Sequence, residues 1–206
     1  LIQRKTLPTQ LHTGKQPLKE RFEPPQNYGE EKRAGYMKPY GGMWTSTWGT
    51  AFDEGWPAWC LRESFHIGQF EEAWLLEPEE CRVIELIGFD MCHEFLSRYG
   101  QELYRFPDDM GKLPPFFRSD GPHAKAHERW HTPSAVCPVW EKVAEEVDAV
   151  RLLTPYSPDV RLGPYLCFNA WDCESTIWLS WKFSGVTRVD LSPYIDEHKR
   201  REEVNA

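Results

Sequence analysis

The chain has 206 residues, a formal net charge of −8, and 40% hydrophobic and 14% aromatic residues. This is the composition of one folded domain, not of a disordered segment; its acidity argues against broad non-specific nucleic-acid binding, although a local basic patch stays open. No apolar run has the length of a membrane span and the first residues lack the apolar stretch of a signal peptide, so a cytoplasmic protein with no membrane partner is expected.

Taken in chain order, residues 7–13 ("LPTQLHT") read as a short strand ending at Gly14. Residues 15–40 are rich in Lys, Glu, Pro and Gly and read as loop with one short helix. "GGMWTST" (41–47) has the aromatic and β-branched content of a strand opened by a glycine turn. "WPAWCLRESF" starts a helix at Pro57, with apolar positions 56, 59, 60 and 61 on one face. "AWLLE" (73–77) and "CRVIELI" (81–87) are strands around an "EPEE" turn. A helix follows, with apolar residues 91, 92, 95, 96 and 99 and a stop at Gly100. Five prolines between about 106 and 136 predict a long loop or insertion. "PVWEKVAEEVDAV" restarts a helix, "AVRLLTP" is a strand, and alternation through Ile177, Leu179 and Trp181 predicts a half-buried strand. A single α+β domain is expected over 1–195, with a charged, fraying tail over 196–206.

Three islands carry residues suited to chemistry: "LHTG" (11–14), "GGMWTS" with "WPAWC" (41–60), and "WDCESTIWL" (171–179). His12 is either a satisfied structural side chain or a ligand contact. Beside it, Thr13 and Gly14 favour the second reading, because a glycine backbone can offer a primary amide the donor–acceptor pair it needs. Trp44, Trp56 and Trp59, with the hydroxyls of Thr45, Ser46, Thr47 and Thr50, are either core or a slot for a flat, amide-bearing ring. Glu174 is either a surface strand residue or an acid that stabilises a developing cation, and Asp172, two residues away, would point to the same side. His123, His127 and His131 share one side of any helix there, but flanking prolines and the missing fourth ligand favour a polar loop over a metal site. The six cysteines form no CxxC pair and read as reduced, buried thiols.

These islands resemble the ADP-ribosyltransferase superfamily in its diphtheria-toxin and PARP-like branch. "LHTG" is similar to that branch's His-x-Gly strand, "GGMWTST…WPAWC" to its Gly-x-Tyr strand, and "CESTIWL" to the strand opened by its catalytic Glu. The wider pattern also resembles uncharacterised bacterial and phage proteins. The resemblance implies a split β-sandwich with a few short helices around an NAD cleft, with NAD as substrate and no metal. His12 would bond the nicotinamide-side ribose and the Gly14 backbone would hold the carboxamide. Trp44 and Trp59 would stack on the nicotinamide where the family usually has tyrosines, with Ser46 or Thr45 as the hydroxyl on the carboxamide. Glu174 would bond the ribose 2′-hydroxyl and stabilise the oxocarbenium-like transition state. Asp172 is similar to the first acid of a toxin-like acid-x-Glu pair that helps choose the acceptor. ADP-ribose would pass to a macromolecule, protein or nucleic acid. NAD glycohydrolysis and a catalytically inactive nucleotide- or partner-binding module are the alternatives. RNA 2′-phosphate transfer is disfavoured because no Arg set for phosphate is evident.

Overall fold

The computed structural model describes residues 1–27, 39–65, 67–105, 134–153, 168 and 171–205. The strands among them are β1 (Ile2–Thr6), β2 (Gln10–Thr13), β3 (Met43–Thr47), β4 (Ala73–Pro78), β5 (Glu80–Leu86), β6 (Gly100–Arg105), β7 (Ser134–Pro138), β8 (Ala149–Leu152), β9 (Ser175–Trp178) and β10 (Phe183–Arg188). Four helices accompany them: α1 (Trp56–Glu63), α2 (Gly88–Tyr99), α3 (Trp140–Glu146) and α4 (Ser192–Asn205). The architecture is mixed α+β. Eight strands share a sheet in the order β1-β5-β8-β9-β3-β2-β4-β10, and β6 pairs with β7 apart from it. Within the large sheet only β5 and β8 run parallel, as strands joined by an intervening helical crossover can.

The pivot of the sheet is β3, which changes partner along its length. Met43, Trp44 and Thr45 pair with β9, whereas Ser46 and Thr47 pair with β2. Two glycines start this strand. Gly41 and Gly42 hold φ of +72° and +67°, values that side chains beyond glycine rarely adopt. A Cβ on Gly42 would also sit 2.9 Å from the Trp178 carbonyl oxygen. The expected glycine turn is therefore required twice, by φ and by the close approach of β9.

Burial follows the local patterns. In α2, Cys92, Phe95, Leu96 and Tyr99 are buried at helical spacing, and with Trp140 and Val143 of α3 they cover one face of β5, β8 and β9. A second cluster, Leu76, Val83, Ala149, Trp178 and Phe183, fills the opposite face. A third lies under α1 and α4 and includes Leu11, Phe52, Cys60 and Leu191. The five described cysteines are buried and outside any disulfide; burial pushes the Cys60 and Cys92 thiols up to about 12, which keeps them un-ionised. Among the described residues no helix is long and apolar enough to cross a membrane.

Several expectations are corrected. The segment predicted to fray from Asp196 belongs to α4. There Tyr194 stacks on Phe52 at 5.7 Å, His198 hydrogen-bonds the Phe52 carbonyl, and Arg201 pairs with Asp53. The expected loop to 136 ends earlier, because 134–138 is β7, whose partner β6 had no alternating pattern to announce it. The strand through 177 is fully buried, not half-buried, and stops at Trp178, so Trp181 lies beyond it. The charged β1 and the glycine-containing β10 are edge strands with little apolar patterning. Most of the Pro-rich insertion and the His123, His127 and His131 cluster lie outside the described residues, as does Cys167.

Gly42→Ala is expected to destabilise the fold by about 2–3 kcal/mol, through strained φ and the clash with Trp178, as read from urea unfolding.

Candidate functional site

The cleft opens where β2 leaves β3. Gln10 and Leu11 still pair with β3, but His12 and Thr13 pair only with β4. The gap is a cavity of about 260 Å³ lined by residues of all three sequence islands: Leu11, His12 and Thr13; Trp44, Thr45, Ser46, Trp56 and Pro57; Asp172, Cys173 and Ser175; together with Gln69.

His12 bridges the gap. Its Nδ1 lies 3.0 Å from the Trp44 carbonyl oxygen, on the edge of β3 that β2 has abandoned. A carbonyl only accepts, so Nδ1 carries the proton and, in the neutral ring, Nε2 keeps its lone pair. Burial lowers the His12 pKa below its ordinary value, although the Trp44 and Lys15 carbonyls pull the other way.

Trp44 and Ser46 alternate with Thr45 and Thr47, so the two pairs face opposite sides of β3. Trp44 meets Trp171 edge-on at 4.8 Å and is braced by it. The Ser46 hydroxyl accepts from the Trp56 backbone N–H at 2.9 Å, which pins the start of α1 against β3. The Thr45 hydroxyl donates to Gln10 Oε1 at 2.7 Å and accepts from Trp178 Nε1 at 2.9 Å, inside the second core face. Both candidate residues line the cleft, but both hydroxyls are engaged within the protein, that of Ser46 also donating to the Glu174 carbonyl at 3.4 Å.

Trp56, not Trp59, lines the cavity. Trp59 stacks behind it, 5.0 Å away and 15° from parallel, with Phe65 edge-on to both. The sequence shows two Trp three residues apart on one helical face. Only the anchoring of the N-terminus of α1 to Ser46 decides which of them reaches the cleft.

Gly14 is not a lining residue. Its N–H donates to the Glu72 carbonyl at 2.7 Å and its carbonyl accepts from Trp74 Nε1 at 3.0 Å, so the backbone pair expected to hold an amide is engaged within the protein. The cleft offers other polar groups. The Thr13 hydroxyl has no partner among the described residues, and Gln69 presents its amide while Nε2 contacts Cys60 Sγ at 3.6 Å. No sequence pattern marks Gln69, which arrives from the short helix 67–71 through tertiary packing.

The two carboxylates of "WDCE" separate. Asp172 lines the cavity, whereas the Glu174 side chain does not, being 1% exposed on the other side of the strand. Glu174 Oε2 accepts from the Thr47 backbone N–H at 3.1 Å. Its Oε1 accepts from the Thr47 hydroxyl at 2.9 Å and from Arg151 Nε at 3.0 Å. Arg151 continues to Glu85 at 3.1 Å, and Glu85 ends on Lys5. Two cations and two carboxylates thus form a neutral chain across β1, β5, β8 and the residue just before β9. Arg151 and Glu85 carried no sequence signal beyond being polar residues within apolar strands.

Protein-family models, curated proteins and solved structures offered no match to this chain.

Arg151→Met leaves Glu85 and Glu174 buried without their shared cation; a loss of about 3–5 kcal/mol in urea unfolding is expected. His12 produces a pH effect of defined sign. Its folded pKa lies below the ordinary 6.5, so the unfolded chain takes up the proton first and stability falls as pH drops below 6.5. Unfolding midpoints between pH 7.5 and 5 should therefore decline more steeply in the wild type than in His12→Gln.

Proposed function

We propose that the cleft binds NAD by its nicotinamide end and that the chain is an ADP-ribosyltransferase. The observation that carries this reading is the convergence of the three islands on one cavity lined by His12, Trp44, Trp56 and Asp172. Indole faces suit a pyridinium ring, through stacking and cation–π attraction of about 1–2 kcal/mol per desolvated contact. A cavity of about 260 Å³ holds a ring and its ribose rather than a whole dinucleotide, whose remainder extends along the surface. Thr13 and Gln69 are the groups available to the carboxamide, since the Ser46 hydroxyl is engaged by the Trp56 N–H and the Glu174 carbonyl, and His12 Nε2 can accept from a ribose hydroxyl.

In the reaction the bond between the nicotinamide nitrogen and the ribose anomeric carbon breaks, and the electron pair leaves with neutral nicotinamide. The acceptor's nucleophile then bonds to that carbon and gives up its proton. The transition state carries positive charge on the ribose, and Asp172 is the acidic residue lining the cavity that would meet it. Glu174, engaged by Arg151 and Thr47, fixes the start of β9 between Asp172 and Ser175.

A second reading, a nucleotide-binding module without turnover, is favoured by one specific observation: the Gly14 backbone and the Glu174 carboxylate are both engaged internally. NAD affinity by calorimetry and nicotinamide release under saturating NAD separate the two readings. Asp172→Asn is expected to keep NAD affinity and lose roughly a hundredfold in nicotinamide release. Glu174→Gln is expected to lose stability while keeping release per folded molecule. Trp44→Ala should weaken NAD binding about tenfold, whereas Trp48→Ala, whose ring packs on Tyr194 at 4.8 Å, should not. NAD binding without any nicotinamide release from the wild type would establish the module instead, and absence of NAD binding would remove both readings.

A further inference from the structure

A second cavity, of about 190 Å³, lies at the other end of β9 and is lined by Arg4, Glu80, Cys81, Arg82, Asp148 and Lys182. Strand register sets Arg4 of β1 directly opposite Arg82 of β5. Like charges at directly opposed positions repel, and Lys182 adds a third cation beside them. The one buried carboxylate is already fully occupied. Asp148 Oδ2 accepts from the Arg82 backbone N–H at 2.8 Å and from Arg82 Nε at 3.2 Å. Its Oδ1 accepts from Arg82 Nη2 at 3.1 Å and from the Ser180 hydroxyl at 2.9 Å. A carboxylate has about four lone-pair sites, so none remains for the other cations. Lys182 Nζ stays 3.9 Å from Oδ1, beyond hydrogen-bond reach. The Arg4 guanidinium has no hydrogen bond or ion pair among the described residues. Glu80, the other carboxylate, is exposed on the rim.

We propose that this cavity binds an oxyanion of the phosphate class, held by Arg4 and Lys182 over a rigid floor made by Arg82 and Asp148. The floor is preorganised. Arg82 Nη1 also donates to the Glu145 carbonyl at 3.3 Å. The Leu179 and Ser180 N–H groups donate to the Asp148 carbonyl at 2.8 and 3.3 Å, which anchors the turn leading to Lys182. A guanidinium offers a planar fork that matches phosphate oxygens, and an ammonium offers a compact charge with three donors. An anion between them relieves the opposition of Arg4 and Arg82. In a chain of net charge −8 this is a local reversal of sign, with room for a phosphate and a small attached group.

The test is calorimetric titration of the full chain with inorganic phosphate and, separately, with a nucleoside 5′-monophosphate, at constant ionic strength set with chloride. Saturable binding of either is expected, whether the natural source is the free ion or an ester. The double variant Arg4→Gln/Lys182→Gln changes two solvent-accessible side chains without touching the Arg82–Asp148 pair. It should stay folded by circular dichroism and raise the dissociation constant at least tenfold. Arg200→Gln, on α4, should bind as the wild type does, and so should the cleft variant Trp44→Ala. The proposal is overturned by three results: no saturable binding above matched chloride, equal binding by the double variant, or loss of binding in Trp44→Ala, which would put the anion in the cleft.

Discussion

The buried contact between Glu174, Arg151 and the backbone N–H of Thr47 governs how the central strands meet. A carboxylate and a guanidinium removed from water are costly unless every charge has a partner, and here the chain of Lys5, Glu85, Arg151 and Glu174 closes to neutrality. Such a network contributes specificity more than net stability. Side chains alternate along a strand, so a one-residue slip of β8 or β9 would turn Arg151 or Glu174 to the wrong face and strand its partners. Register is thereby tied at the point where β9 begins and β3 ends.

Both edges of β3 are completed by side chains where the ladder stops. On one edge β9 has not yet begun to pair with β3, and the Glu174 carboxylate takes the Thr47 N–H. On the other, β2 has turned away, and His12 takes the Trp44 carbonyl. Unpaired backbone groups in a buried strand are costly, so these two contacts allow the sheet to part without orphaned donors and acceptors. The cleft follows directly from this parting. Leu11, His12, Thr13, Trp44, Ser46 and Ser175 line it from strands, which fixes their side-chain directions.

The indoles divide by what lies behind them. Trp178 is buried with its N–H on Thr45, and Trp171 braces Trp44 from the core side. Trp56 faces the cleft with Trp59 stacked at its back. A cleft ring supported by a second ring loses little freedom when a ligand arrives, which lowers the ordering cost of binding. The opposite end of β9 shows the same economy in charge: Arg82 and Asp148 are fixed by mutual hydrogen bonds, while Arg4 and Lys182 remain available around them.

Much of the local structure is determined by the sequence alone. The strand through "MWTST", the glycine turn before it, α1 from Pro57 and α2 from its apolar period follow from φ preference, side-chain branching and spacing, all of which act within a few residues. The sequence also singles out His12, Trp44, Trp59 and Glu174 for one cleft, and of these only His12 and Trp44 line the cavity. Tertiary structure alone decided which way Glu174 and Asp172 face, since Asp172 precedes β9 and the two-residue spacing constrains direction only within a regular strand. It also decided that Trp56 reaches the cleft instead of Trp59, that Gly14 bonds Glu72 and Trp74, and that Arg151 meets both carboxylates. Each of these depends on a partner from 10 to 127 residues away in the chain (Trp56 on Ser46 at the near end, Glu174 on Thr47 at the far end), where no local pattern can register it.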